Sequence, residues 1–162
     1  MDCKNTGGRG RPDRQRQLLQ ELYAGPRGEL TSMLQYLYQS CVLAPVDPEL
    51  ARAMDAMAKV EAHHLEILGA LIALRDGTPS YGTPAGWWSG QSVYYGRAPC
   101  RMLLEDLRRK VESTSACLRA AGQMEDPETA RILRRMAGDE AAQGELLRTL
   151  IARRQCRREG RN

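Results

Sequence analysis

Two stretches of this chain place residues at alternating steps of four and three, the spacing that lines one face of a helix. The first reads Leu50, Met54, Met57, Glu61, His64, Leu68, Leu71; the second reads Leu133, Met136, Glu140, Gln143, Leu147, Leu150. Each apolar seam is broken at its middle by a polar pair three residues apart, so both members of a pair point the same way. An upstream helical stretch adds Glu29 and Tyr36, seven apart, on one face with Met33. Counting from the turns puts Glu29, Glu61 and Glu140 near one height. Ionised carboxylates are costly to bury alone. Three core-facing glutamates from three helices therefore need a shared cation, a shared proton or a basic side chain.

The rest of the chain supplies the frame for those seams. Helices are expected at about 28–44, 48–75, 99–121 and 127–154. Pro45 and Pro48 break the first from the second, and Asp47 is placed to cap the second just before a proline at its first position. In the first helix the apolar positions are Leu30, Met33, Leu34, Leu37 and Cys41; in the third they are Leu104, Leu107, Val111, Thr114 and Leu118. The segment DGTPSYGTPAGWWSGQSVYYGRAP reads as an unusually long loop. Short, long, short is the order of connections. Short links make antiparallel neighbours, and the long one allows a crossover, so the expected fold is all-α: a four-helix bundle of the ferritin-like, single-crossover kind. Residues 1–17 are expected to be a disordered basic tail, 18–154 the bundle, and 155–162 a second basic tail.

Composition narrows the classes further. The 162 residues can bury a full core without staples. The net charge of +4 sits in the ends: residues 1–17 carry +3 and residues 153–162 carry +4, leaving −3 for the body. Such ends are ordinarily solvated, and nucleic acid is not an expected partner. No apolar run is long enough to span a bilayer and no apolar leader precedes the bundle, so a cytoplasmic protein without membrane contact is expected. The five cysteines are odd in number and scattered, with no Cys-x-x-Cys pair. That excludes a zinc ribbon and argues against a disulfide framework, leaving reduced thiols as the expectation.

Glu29-x6-Tyr36 in GELTSMLQY, Glu61-Ala-His-His64 in KVEAHHLEILG and Asp139-Glu140-Ala-Ala-Gln143 resemble the rubrerythrin and ferritin-like superfamily. The resemblance is nearest to single-domain bacterial members without a rubredoxin domain, and it covers roughly residues 24–150. It implies Fe or Mn, one or two ions per chain, held by Glu29, Glu61, His64 and Glu140, with Tyr36 beside them. It also implies an oxidoreductase that reacts with peroxide or dioxygen, an external electron donor, and a homodimer. Two positions depart from the pattern. Gln143 stands where a second histidine is expected, a weaker ligand. On the third helix, where a glutamate is expected, the chain reads Arg108-Arg109-Lys110-Val111-Glu112. Glu112 could turn in as the replacement ligand, or Arg109 or Lys110 could neutralise the glutamates in place of a metal. The second alternative describes a non-catalytic interaction protein that kept the fold and lost the di-metal site.

Overall fold

The computed structural model describes residues 13–156. Its helices are α1 (Arg14–Ala24), α2 (Glu29–Leu43), α3 (Pro48–Ala73), α4 (Pro99–Ala121) and α5 (Pro127–Arg153). The last four form the bundle, with α2 packed on α3 and α4 packed on α5. Proline opens three of them. At α3 the Asp47 carboxylate accepts from the Leu50 N–H at 3.0 Å, and at α5 Asp126 accepts from the Glu128 and Thr129 N–H groups. The proline lacks the donor that a helix start leaves unpaired, and the aspartate takes those that remain. The expected all-α bundle is the fold found.

The long connection between α3 and α4 is not featureless. It carries a small antiparallel ladder of β1 (Gly82–Thr83) and β2 (Gly86–Trp87), then a 3-10 turn at Gly90–Ser92. The helix α1 holds this segment down: the Gln20 amide donates to the Ser80 and Gly82 carbonyls, and the Tyr23 and Tyr81 rings stack. Part of the expected disordered tail is thus helical, from Arg14 onward; residues 1–12 and 157–162 lie outside the described residues. The first half of α1 is polar, and only Leu19, Leu22, Tyr23 and Ala24 are buried. A single apolar turn leaves little helical periodicity to read.

Two further expectations are corrected. The apolar stripe chosen on α4 is not the inward one: Val111 and Leu118 are each 51% exposed, while Met102, Leu103, Asp106, Lys110, Ser113 and Cys117 face the interior. On α2 the expected stripe is inward only in part: Leu30 is buried, but Leu37 and Cys41 are exposed, and the buried face also carries Glu29, Thr31, Ser32, Gln35, Tyr36 and Gln39. Both helices bury polar residues among apolar ones, so selecting apolar positions alone misplaces much of the inward face. The thiols are not all reduced either. Cys100, in the first turn of α4, is disulfide-bonded to Cys156, just past α5, with their Cα atoms 5.2 Å apart.

The core falls into two apolar clusters. One gathers Leu19, Leu30, Leu68, Ile72, Leu133 and Met136; the other gathers Leu43, Leu50, Met54, Met102, Leu103 and Leu147. On α3, α4 and α5 the polar positions lie between the two, so the bundle carries a buried polar layer at mid-height. Among the described residues, no helix is long and apolar enough to cross a membrane.

Candidate metal centre

Each helix delivers its side chain to the polar layer by a local device. Glu29 is the first residue of α2, where the unpaired N–H groups and the helix dipole favour a negative charge. The preceding Gly28 sets the angle of entry. A Cβ there would stand 2.5 Å from the Leu22 carbonyl oxygen and 2.9 Å from that of Glu21, so only glycine lets the chain turn this tightly. Glu61 and His64 lie one turn apart on α3, and Glu140 and Gln143 one turn apart on α5. These five are all buried.

The ligand atoms of Glu29, Glu61, His64 and Glu140 all lie within 4.8 Å of one another. His64 Nδ1 is 3.5 Å from Glu140 Oε1 and 3.9 Å from Glu29 Oε2. On its other side, His64 Nε2 is 3.2 Å from Asp139 Oδ2. The Lys110 ammonium reaches in from α4, with Nζ 2.8 Å from Glu61 Oε1, 3.0 Å from Glu140 Oε1 and 2.9 Å from Glu140 Oε2. Gln143 Nε2 donates to that same Glu61 Oε1 at 2.7 Å. The Tyr36 ring lies over the ammonium, its centroid 5.3 Å from Nζ, the cation–π arrangement. One turn before Lys110, Asp106 Oδ1 accepts from the side-chain amides of Gln35 and Gln39.

The charges of this layer oppose burial with pairing. Burial drives the Glu61 carboxyl well above the usual range, helped by Glu29 and Glu140, against the pull of Lys110. Glu140 has the same burial, but Lys110, His64 and Ser113 together hold it down to about 2. Burial alone would lower the Lys110 ammonium; Glu61, Tyr36, Glu140 and Glu29 override it and raise it well above its ordinary value. In the same way burial would lower His64, and hydrogen bonds and charge from Glu140, Glu29 and Glu61 raise it to about 10. In the protein without metal, pairing thus favours the charged forms of Lys110 and His64, while burial favours the neutral form of Glu61.

Even so, that pairing is incomplete. Both oxygens of Glu29, Glu61 Oε2 and His64 Nδ1 are buried and have no hydrogen-bond partner. Buried polar atoms without partners are costly, and these face one another from α2 and α3. A carboxylate on the far nitrogen of a histidine, here Asp139, is what holds an imidazole in place as a metal ligand. The donor set of carboxylate oxygens and one imidazole suits Fe or Mn.

The residues expected from the sequence divide as follows. Glu29, Glu61, His64 and Glu140 come together. Gln143 sits at the edge and turns its N–H₂, not a ligand atom, toward Glu61. Tyr36 lies against Lys110. Glu112 does not join them: it is paired with Arg27 at 2.8 Å and Arg108 at 2.6 Å on the surface of α4. Arg109 turns away too, to the Ser92 carbonyl and Glu105. Of the basic alternatives, Lys110 is the one that enters. Sequence reasoning missed Asp139 and the Asp106–Gln35–Gln39 group. Asp139 could have been found from its place beside Glu140, one position off the seam.

No protein-family model matches the sequence, and no curated protein matches it. Solved structures do share its fold. The manganese catalase KatB from Anabaena PCC7120 superposes with a TM-score of 0.82 at 20% identity, covering 92% of this chain and 77% of that one. A wild-type structure of the same catalase gives 0.79 at 22% identity, covering 86% and 71%. A bacterioferritin from Desulfovibrio desulfuricans, described with a diiron site, gives 0.71 at 24% identity, covering 87% and 82%. The chain is a ferritin-like helical bundle with a buried Glu/His cluster.

Proposed function

We propose that the cluster holds Fe or Mn and that the protein is a redox-active metalloprotein of the ferritin-like kind, with peroxide or dioxygen as its reaction partner. The observation that carries this is the set of buried polar atoms without a hydrogen-bond partner, Glu29 Oε1 and Oε2, Glu61 Oε2 and His64 Nδ1, inside a cluster whose ligand atoms lie within 4.8 Å of one another. Glu29, Glu61, His64 and Glu140 would hold the ion. Bound there, it would supply one-electron changes of oxidation state and a Lewis-acidic site for an oxygen ligand.

The chain's own residues set the conditions for that chemistry. Asp139, on His64 Nε2, orients the ring so that Nδ1 faces the carboxylates. The Lys110 ammonium keeps Glu140 ionised and balances part of the negative charge. The two apolar clusters above and below exclude bulk water, which strengthens each of these interactions. Without a Cys-x-x-Cys pair, electrons come from another molecule. The neighbouring structures named as a manganese catalase and a diiron bacterioferritin support the choice of metals and oxidants.

A second reading is favoured by one specific observation, the same lysine. Its contacts with Glu61 and Glu140 make a metal-free layer tolerable, as an interaction protein without a metal would require. Metal content of the purified full chain separates the two. After expression with added iron or manganese, plasma mass spectrometry is expected to find bound metal in the wild type and a loss in Glu29→Gln, with circular dichroism unchanged. A folded, metal-free wild type would establish the second reading.

A further inference from the structure

Metal-carboxylate bundles with two ions take a Glu from each of two helices and a Glu-x-x-His from each of the other two. In this chain one half of that set is whole: Glu29 on α2, and Glu61 with His64 on α3. In the other half, Glu140 remains, but Gln143 replaces the histidine and Lys110 stands on the helix that owes a glutamate. Both replacements exchange a ligand for a hydrogen donor, and the two act on one atom. The Lys110 ammonium and the Gln143 amide both point at Glu61 Oε1, at 2.8 and 2.7 Å. An oxygen that already accepts from the Lys110 ammonium meets the N–H₂ side of the amide.

The ammonium is fully engaged. Its three hydrogens match three oxygens at 2.8 to 3.0 Å, Glu61 Oε1 and both oxygens of Glu140. A protonated amine has no lone pair to offer a metal. The side chain is buried, with the Tyr36 ring over it. On the other side, both oxygens of Glu29, Glu61 Oε2 and His64 Nδ1 are left without a hydrogen-bond partner. The polar layer is thus divided between a face that holds the fixed ammonium, with Gln143 Oε1 beside it unpartnered, and a face where Glu29, Glu61 Oε2 and His64 Nδ1 offer ligand atoms.

We propose that this centre takes a single metal ion, on the Glu29–His64 face, and that the Lys110 ammonium occupies the place of a second ion. The proposal rests on the metal-binding reading above and specifies its stoichiometry. Lys110 is then the residue that sets the number of ions, and restoring a carboxylate there opens the second face.

The test counts ions and reads their coupling. Manganese(II) is loaded into the full chain, unbound metal is removed, and ions per chain are measured beside the electron paramagnetic resonance spectrum. The wild type is expected to hold one ion with the spectrum of an isolated Mn(II). The double variant Lys110→Glu/Gln143→His is expected to hold two, magnetically coupled. Two coupled ions in the wild type would overturn the proposal while leaving the metal reading intact. A metal-free wild type would overturn it as well. In that case, loading in Lys110→Met would show that the lysine excludes all metal, and no loading in any variant would sink the underlying reading. Should the double variant not fold, the wild-type count and spectrum decide by themselves.

Discussion

Lys110 is where the energetics of the polar layer concentrate. Removing one partner of a buried, hydrogen-bonded charge group leaves the others without compensation, at a cost of about 3–5 kcal/mol. Lys110→Met in the metal-free protein is expected to lose about that much in urea unfolding, and part of it is expected to return when Mn(II) is added. A variant as stable as the wild type would mean that the lysine does not neutralise the glutamates. Asp139 is half exposed and touches the cluster through His64 alone. Asp139→Asn is therefore expected to leave the fold unchanged and weaken metal affinity about 10–100-fold, read by competition with a chelator.

Asp106 gives a prediction in pH. Burial pushes its carboxyl up to about 7, against the hydrogen bonds from Gln39 and Gln35 and the charges of Lys110 and Arg109. A carboxyl that holds its proton more tightly in the folded chain than in the unfolded one contributes stability at low pH. That stability is lost as pH rises from about 4, the unfolded value, to about 7. Asp106→Asn has no such loss, so its stability relative to the wild type is expected to be greater at pH 8 than at pH 4, by up to about 4 kcal/mol. Urea unfolding at the two pH values checks this, and a pH-independent difference would contradict it.

At the scale of elements, legibility followed which side of a helix is polar. The inward faces of α3 and α5 were readable because an apolar seam runs the length of each and is broken only by Glu61–His64 and Glu140–Gln143. Those breaks are themselves the site. On α2 and α4 the rule inverts. Gln35, Gln39, Asp106, Lys110 and Ser113 face in, partly because they answer one another's hydrogen-bonding needs, and a partner on another helix is invisible to a single helix's periodicity. Hence Lys110 could be raised as an alternative from the sequence, but its place could not be chosen over Glu112 or Arg109. The disulfide was illegible for a related reason. Cys100 and Cys156 are 56 residues apart, and only the pairing of α4 with α5 brings their ends together. Closing a loop of that length stabilises by about 4 kcal/mol in the chain-entropy account. Reduction, or Cys100→Ser, is expected to lower the thermal midpoint, and an unchanged midpoint would mean that the bond is not formed in solution. Such a bond persists in oxidising surroundings.

At the scale of the whole molecule, the bundle is two buried apolar clusters with a charged layer between them. That arrangement is poor for stability alone, since an apolar middle of equal volume would serve as well or better. A layer that keeps three glutamates, one oriented histidine and one lysine, yet leaves Glu29 Oε1 and Oε2, Glu61 Oε2 and His64 Nδ1 without hydrogen-bond partners, has the ligand atoms to receive a cation. The measurement that tests this most directly is a crystal structure of the manganese-loaded chain, with anomalous scattering used to locate the metal. The account predicts one anomalous peak, bounded by Glu29, Glu61, His64 Nδ1 and Glu140, with Lys110 still on Glu61 and Glu140. A fully manganese-exposed crystal with no peak in the layer would contradict it.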